Sequence, residues 1–367
     1  MRTFAFILHP LKYEDFARKY PVTRYLPPPL VEWAFKKIGP VKAGHVTGVV
    51  STTGEPLEGW LIGLPLTPSA ILNAPYPWLL DKLIASGQLA QELGADIVGL
   101  GAFTKIAGDR GISLANALQI PVTTGNSYTT ATAVEGTLAA ADRMQISLKT
   151  AQVAVIGASG SIGRASSFML APHVRRMILV ARGREKLEAL RDELLAQYPQ
   201  LDLAVSTDIR SAVRVADVVV AVSSATDAIV DPADLKPGAV VTDVARPRNL
   251  SRIVTEQRDD VLVIDGGVIE VPGRNADMGL DFGFPPRMVE ACMAETMILA
   301  LDGRLESFTL GPTIDVARVA EIHQLAHKHG FQLSGFRRFE RAIDEEEIDR
   351  IRERAEAKRK HHGISAG

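Results

Sequence analysis

The stretch Val153-Ala154-Val155-Ile156-Gly157-Ala158-Ser159-Gly160-Ser161-Ile162-Gly163-Arg164 restricts what this chain can fold into more than any other. An apolar run ends in three glycines spaced every third residue and passes into Ala165-Ser166-Ser167-Phe168-Met169-Leu170, which reads as strand, tight turn and helix start. Such a turn is a dinucleotide cradle. Glycine lets the backbone bend sharply and approach a pyrophosphate, and the helix that follows aims free N–H groups at it. Gly157, Ser159, Gly160, Ser161, Ile162 and Gly163 are the residues expected to hold the phosphates. The spacing is G-x-x-G-x-x-G, looser than G-x-G-x-x-G, so the neighbouring sequence has to carry part of the argument.

A second apolar run, Met177-Ile178-Leu179-Val180, ends in Ala181-Arg182-Gly183-Arg184, where an enzyme selective for NAD would carry an acid. Arginine there pairs with a 2′-phosphate and points to NADPH; the plainer alternative is that Arg182 and Arg184 open a solvated helix. Further strand-like runs at Asp217–Val222, Ala239–Val244 and Val261–Ile264 alternate with helical stretches, the pattern of a doubly wound parallel sheet. By analogy with such sheets, Ser223 and Ser224, with Thr226 just beyond, fall near the nicotinamide ribose. Gly266 gives the last strand freedom for close approach.

At 367 residues the chain has room for two cores, and its formal net charge of −2 argues against nucleic acid as a partner. A single cysteine rules out an intrachain disulfide and fits a reducing cytoplasm. The opening run Phe4–Leu8 stops at His9-Pro10, too short for a signal segment or a membrane span, so any membrane contact is peripheral. Helices are expected at Tyr13–Lys19, Val31–Ile38 and Trp78–Leu93, and strands at His45–Ser51 and Gly59–Leu64. The run Asp96–Lys105 reads as a strand that delivers Thr104 and Lys105 at its exit. Pro121–Thr130 then clusters hydroxyls and an amide, Thr124 and Asn126 among them, ahead of a helix over Ala131–Met144. Those groups suit either capping or gripping an acyl carbonyl or cofactor.

A helix expected from Arg287 to about Leu301, begun by Pro285-Pro286, carries Cys292 beyond its first turn. On periodicity the thiol is first a small buried hydrophobe, and a nucleophile only if a cation such as Lys105 lies near. Another helix is expected at Asp315–His329. His323 and His327 stand one turn apart without further ligands at matching spacing, so no metal site is expected. The pairs Glu346/Arg350 and Glu356/Lys360 suggest a solvated terminal helix with a frayed end. Residues Arg337, Arg338 and Arg341 offer either a solubilising face or a surface for an acidic carrier. The expected fold is thus α/β. It has an N-terminal α/β substrate domain (1–148), a Rossmann-type doubly wound parallel sheet (149–283), C-terminal helices packing back on the first domain (284–335) and a charged tail (336–367).

Taken together, Gly99-Leu100-Gly101-Ala102-Phe103, Thr123-Thr124-Gly125-Asn126 with Thr129, Val155–Gly163, Pro286-Arg287 with Ala291-Cys292, Ala294-Glu295 and Met297, and Lys328-His329-Gly330-Phe331 resemble the long-chain acyl-[acyl-carrier-protein] reductases of cyanobacteria. The resemblance spans Met1 to about Leu333; Thr104-Lys105 depart from the family's pattern, and the stretch from Phe336 on has no counterpart in it. It implies NADPH-dependent reduction of a fatty acyl thioester, on acyl carrier protein or coenzyme A, to a fatty aldehyde, which an aldehyde-consuming enzyme could receive. Cys292 is then the acyl acceptor, hydride reduces the bound thioester, and the hemithioacetal collapses to the aldehyde. Thr124, Asn126 or Lys105 would stabilise the oxyanion.

Two other readings compete. A layout like that of shikimate dehydrogenase, an NADP-dependent alcohol oxidoreductase, would use Lys105 as acid/base and leave Cys292 as packing; a non-catalytic NADPH sensor would bind cofactor without turnover. The cofactor assignment has a direct check. Arg182→Asp weakens NADPH binding roughly tenfold or more, the scale of one charge-assisted contact, in a fluorescence titration; unchanged affinity refutes the assignment.

Overall fold

Apolar runs bounded by turn residues make the strands of two large sheets, one in each of two units defined by their internal contacts, beside two small sheets of three and two strands. The computed structural model describes residues 1–10, 21–105, 107–225, 227–245, 248–339 and 341–361. The helix expected at Tyr13–Lys19, Thr226, and the end of the tail beyond His361 lie outside the described residues. Unit 1 comprises Met1–Tyr128, Ile269–Thr313 and Ala320–Gln332, and unit 2 comprises Thr129–Val268, Ile314–Val319 and Leu333–Gly367. These divisions fall elsewhere than the expected borders at 148, 283 and 335.

Unit 1 is built on β1 (Arg2–Leu8), β2 (Val41–Val50), β3 (Pro56–Gly63), β4 (Val98–Leu100) and β5 (Val122–Thr123), in the order β2-β3-β1-β4-β5. All neighbours are parallel except β2, which returns antiparallel on β3 through a turn at Gly54. Side chains from β1, β3, β4 and the helix Tyr76–Glu92 fill a core that includes Ile7, Ile62, Leu83, Val98 and Leu100. The 96–105 stretch is a strand only over β4 and then tightens into a 3-10 turn at Ala102–Lys105.

Beside β1, β3 and β4 lies the helix Ala291–Asp302, whose residues Ala291 through Leu301 are all buried. A helix buried on every side belongs inside a core. The expectation that a C-terminal helix packs back on the first sheet is met here, but its start is not where the prolines suggest. After Pro285-Pro286, Arg287 takes φ +66° and its carbonyl accepts a hydrogen bond from Val271 N–H at 2.8 Å. The chain then runs extended through Met288–Glu290, and helix begins only at Ala291. Cys292 is therefore in the first turn, not beyond it.

Unit 2 holds β6 (Gln152–Ile156), β7 (Arg176–Val180), β8 (Asp202–Ser206), β9 (Val218–Ala221), β10 (Val240–Asp243) and β11 (Leu262–Asp265) in the order β11-β10-β9-β6-β7-β8, all parallel. This is the doubly wound order, with its reversal between β6 and β9. Both faces are covered: Val153, Val155, Val218 and Val220 face one core, Ala154, Ile156, Val219 and Ala221 the other. Continuous apolar runs rather than alternating ones follow from that double burial. The edge strand β8, half-polar and half-exposed, is the one that the sequence pattern did not announce.

The terminal helix Glu345–His361 is more than a solvated face. It buries Ile348, Ile351 and Ala355, while Lys358 reaches Asp259 at 2.9 Å and Asp260 at 3.0 Å. Nor do the arginines before it form a free surface: Arg337 is buried, and Arg338 and Arg341 both bind Glu347.

Gly163 sets the closeness of strand and helix in unit 2. A Cβ there would sit 2.2 Å from the Gly157 carbonyl oxygen. Gly163→Ala should cost about 1–3 kcal/mol of unit 2 stability as overpacking, together with NADPH affinity, read by urea denaturation and fluorescence titration.

Candidate active site

In unit 2 the glycine turn has the shape that a pyrophosphate requires. Gly157 takes φ +86°, a Cβ on it would stand 2.9 Å from Ser223 N, and its N–H donates to Val180 O at 2.8 Å. Gly160 is the extended N-cap of the helix Ser161–Leu170, which puts Ser161 and Ile162 at its first two positions, where backbone N–H groups have no helical acceptor. Arg182 is exposed at the β7 exit and makes no ion pair among the described residues, whereas Arg184 leans on Glu188 at 3.7 Å. The residues present fit a dinucleotide, and both arginines are exposed at the β7 exit.

Ser223 is held by a residue that the sequence reading passed over. Buried Asn249 accepts from Ser223 N–H at 2.9 Å and donates to Ser223 O at 3.1 Å, pinning the loop that leaves β9. Gly266 is closely packed as well, since a Cβ there would lie 2.8 Å from Val244 Cγ2.

Unit 1 gathers the thiol, the amine and the Thr-Thr-Gly-Asn stretch. Gly125, at φ +73°, lies directly under the cysteine: a Cβ on it would come 2.2 Å from Cys292 Cα. Gly99 of β4 meets the same helix, its notional Cβ 2.0 Å from Thr296 Oγ1. Both glycines are needed because backbone and helix touch there.

The buried carboxylate of Glu295, one turn after the cysteine, locks this contact. It accepts from Thr123 Oγ1 at 2.5 Å, Thr309 Oγ1 at 2.9 Å and Tyr128 N–H at 2.8 Å. Burial raises its carboxyl above the ordinary range, against the pull of those hydrogen bonds and of Lys105. Thr124 is committed as well. Its N–H and hydroxyl both donate to Thr309 O, at 2.9 and 3.0 Å, so the hydroxyl is not placed to serve as an oxyanion donor. Asn126 opens the helix Asn126–Arg143, five residues earlier than the expected start at Ala131.

Lys105 ends the 3-10 turn that His9 braces from the β1 exit. His9 Nε2 accepts from Phe103 N–H at 3.0 Å, which leaves the proton on Nδ1 to donate to Pro10 O at 2.9 Å. The position of His9, at the end of the first apolar run, was the only sequence signal for it.

Cys292 is the second residue of its helix and is buried. Burial pushes the thiol up; Lys105 pulls it down, Glu290 and Glu295 push it up again, and the Met293 N–H lowers it, with the net direction upward. Placement in the first turn adds the helix dipole on the side of the thiolate. Just upstream in the sequence, Met278, Leu280, Phe282, Phe284 and Met288, together with Asp277, Asp281 and Arg287, line a cavity of about 520 Å³. No group of three or more His, Cys, Asp or Glu able to hold a metal ion occurs among the described residues.

The Shikimate / quinate 5-dehydrogenase family model matches residues 138–265. The chain is 32% identical over 309 residues to the aminotransferase PigE of Serratia sp., covering 82% of this chain and 35% of that protein, so it spans about a third of that relative's length. It is 31% identical over 300 residues to the long-chain acyl-[acyl-carrier-protein] reductase of Synechococcus elongatus, covering 77% of this chain and 85% of that one. Among solved structures it is similar to L-tryptophan dehydrogenase from Nostoc punctiforme, with a TM-score of 0.43, 14% identity and coverage of 97% of this chain and 89% of that one.

Because Lys105 is the charge that lowers the thiol, Lys105→Met should move the pH profile of Cys292 alkylation by iodoacetamide to higher pH. At neutral pH the rate falls about tenfold for each unit that the thiol rises. Mass spectrometry of the intact chain follows it, and an unmoved profile would show that Lys105 does not act on the sulfur.

Proposed function

The chain belongs to the family of the long-chain acyl-[acyl-carrier-protein] reductases, and on that footing we propose that it takes a fatty acyl group from a carrier thioester onto Cys292 and releases it as the aldehyde. One observation carries this reading: the chain's single cysteine occupies the second position of a buried helix, backed by Gly125, with Lys105 as the cation that favours its thiolate.

In the acylation step Cys292 Sγ attacks the thioester carbonyl, the carbon–sulfur bond to the carrier breaks, and the carrier leaves as a thiol. Charge developing on the carbonyl oxygen is met by the Lys105 ammonium and by Asn126 at its helix N-terminus. The alkyl chain is assigned to the groove lined by Leu280, Phe282, Phe284 and Met288. The cofactor is a dinucleotide of the NADP type, held by Gly157, Gly160, Ser161 and Gly163 at its phosphates and by Arg182 at its 2′-phosphate, with Ser223, Ser224 and Gly266 on the neighbouring strand ends. When bound, it supplies the hydride that brings the Cys292 thioester to the aldehyde level. Coenzyme A or acyl carrier protein serves as the carrier, and an aldehyde-consuming enzyme is the natural recipient of the product.

A second reading is NADP-dependent alcohol oxidation with Lys105 as acid/base. It draws on the Shikimate / quinate 5-dehydrogenase match over residues 138–265, and on a Lys105 whose side chain makes no ion pair or hydrogen bond among the described residues.

Mixing the protein with long-chain acyl-CoA or acyl carrier protein, without NADPH, separates the two readings. An acyl adduct in the intact mass that Cys292→Ala abolishes, and that NADPH discharges as aldehyde, is the expected outcome. A wild-type protein that never gains the adduct yet oxidises a polyol acid sends the assignment to the second reading.

A further inference from the structure

We infer that the segment Pro21–Ile38 docks on an anionic lipid surface. Thirteen large apolar side chains are exposed among the described residues, and six of them, Val22, Tyr25, Leu26, Leu30, Trp33 and Ile38, fall within these few turns of chain. Tyr25 is 85% and Trp33 58% exposed. The helix Pro28–Lys37 is not short of a core: Val31 and Phe35 on its inner face are buried, so the outer face of Leu30 and Trp33 is surplus to folding. Clusters of this kind on an otherwise ordinary surface mark an interaction site.

Two features select lipid as the occupant. The first is charge. Exposed Arg24, Lys36 and Lys37 frame the patch, and Lys37 Nζ stands 4.3 Å over the Trp33 ring, while the one acid, Glu32, faces inward and accepts from Thr67 Oγ1 at 3.2 Å. In a chain of net charge −2, that local excess of cations beside a Trp and a Tyr is the pattern of an interfacial helix.

The second is a dry helix end. A helix N-terminus ordinarily presents four unpaired N–H groups. Here Pro28 and Pro29 have none, and Leu30 and Val31 N–H both donate to Pro27 O, at 3.0 and 3.2 Å. No amide of the first turn is left to hydrate, which lowers the cost of entering the headgroup boundary and denies an acidic protein the N-terminal hydrogen bonds it would seek. No helix among the described residues is long and apolar enough to cross a membrane, so the contact lies in the interface plane.

The inference is independent of the acyl chemistry, and so is its test. The full-length protein is sedimented with phosphatidylglycerol–phosphatidylcholine vesicles and, in parallel, with phosphatidylcholine alone. Expected are binding to the anionic vesicles only, a blue shift of tryptophan emission, and loss of both in Leu30→Ser/Trp33→Ser. Lys36→Gln/Lys37→Gln should weaken binding about twenty-five-fold, about fivefold per charge. NADPH titration of each variant shows that it is folded. The proposal is overturned if the wild type stays in the supernatant, or if the serine variant binds as well as wild type. It is also overturned if the patch proves to join two copies, seen as a dimer that the serine variant dissociates without any vesicle binding, or to serve only an acyl carrier protein. Vesicle binding without a Cys292 adduct would uphold this inference and defeat the proposed reaction.

Discussion

One buried carboxylate ties unit 1 together. Glu295 is reached by Thr123, Tyr128 and Thr309, which come from the end of β5, the start of a helix and a loop far along the chain. A carboxylate withdrawn from water is costly unless its oxygens are satisfied, and here three donors converge on it. With the donors in place, the helix can adopt little but its observed rotation. That rotation is what seats Cys292 on Gly125 and Thr296 on Gly99. The chemistry proposed for the thiol therefore rests on an acid that touches neither the acyl group nor the cofactor.

The same acid works against the thiolate. Glu290 and Glu295 both push the sulfur toward its protonated form, burial does so more strongly, and Lys105 with the helix terminus pulls the other way. The net direction for the thiol is upward.

How much of this was legible beforehand follows from what each residue has to satisfy. The nucleotide unit was plain because Gly157 and Gly163 permit no side chain and because strands buried on both faces must be apolar throughout. Its edge strand β8 escaped notice since only half of it is covered. In unit 1, the sequence offered the members of the candidate site without their geometry. Pro285-Pro286 looked like a helix start, yet Arg287 in the left-handed region and a strand over Met288–Glu290 push the start to Ala291, and with it Cys292 into the first turn. Thr124 looked like a donor for substrate, but the carbonyl of Thr309, distant in sequence, takes its hydroxyl. Asn249 was invisible for the same reason: its partner is set by a tertiary contact that no local pattern records.

The order in which the chain is written also differs from the order in which it is packed. The first 128 residues lay down β1 and β4, yet the apolar helix that covers them belongs to Ile269–Thr313 and emerges from the ribosome only after the whole glycine-turn sheet has been made. Until then the nascent amino-terminal half carries an unroofed hydrophobic sheet, and the sulfur is neither in place nor yet translated. A chain arrested before Ala291 would therefore leave this sheet without the helix that covers it, a surface prone to association until synthesis proceeds.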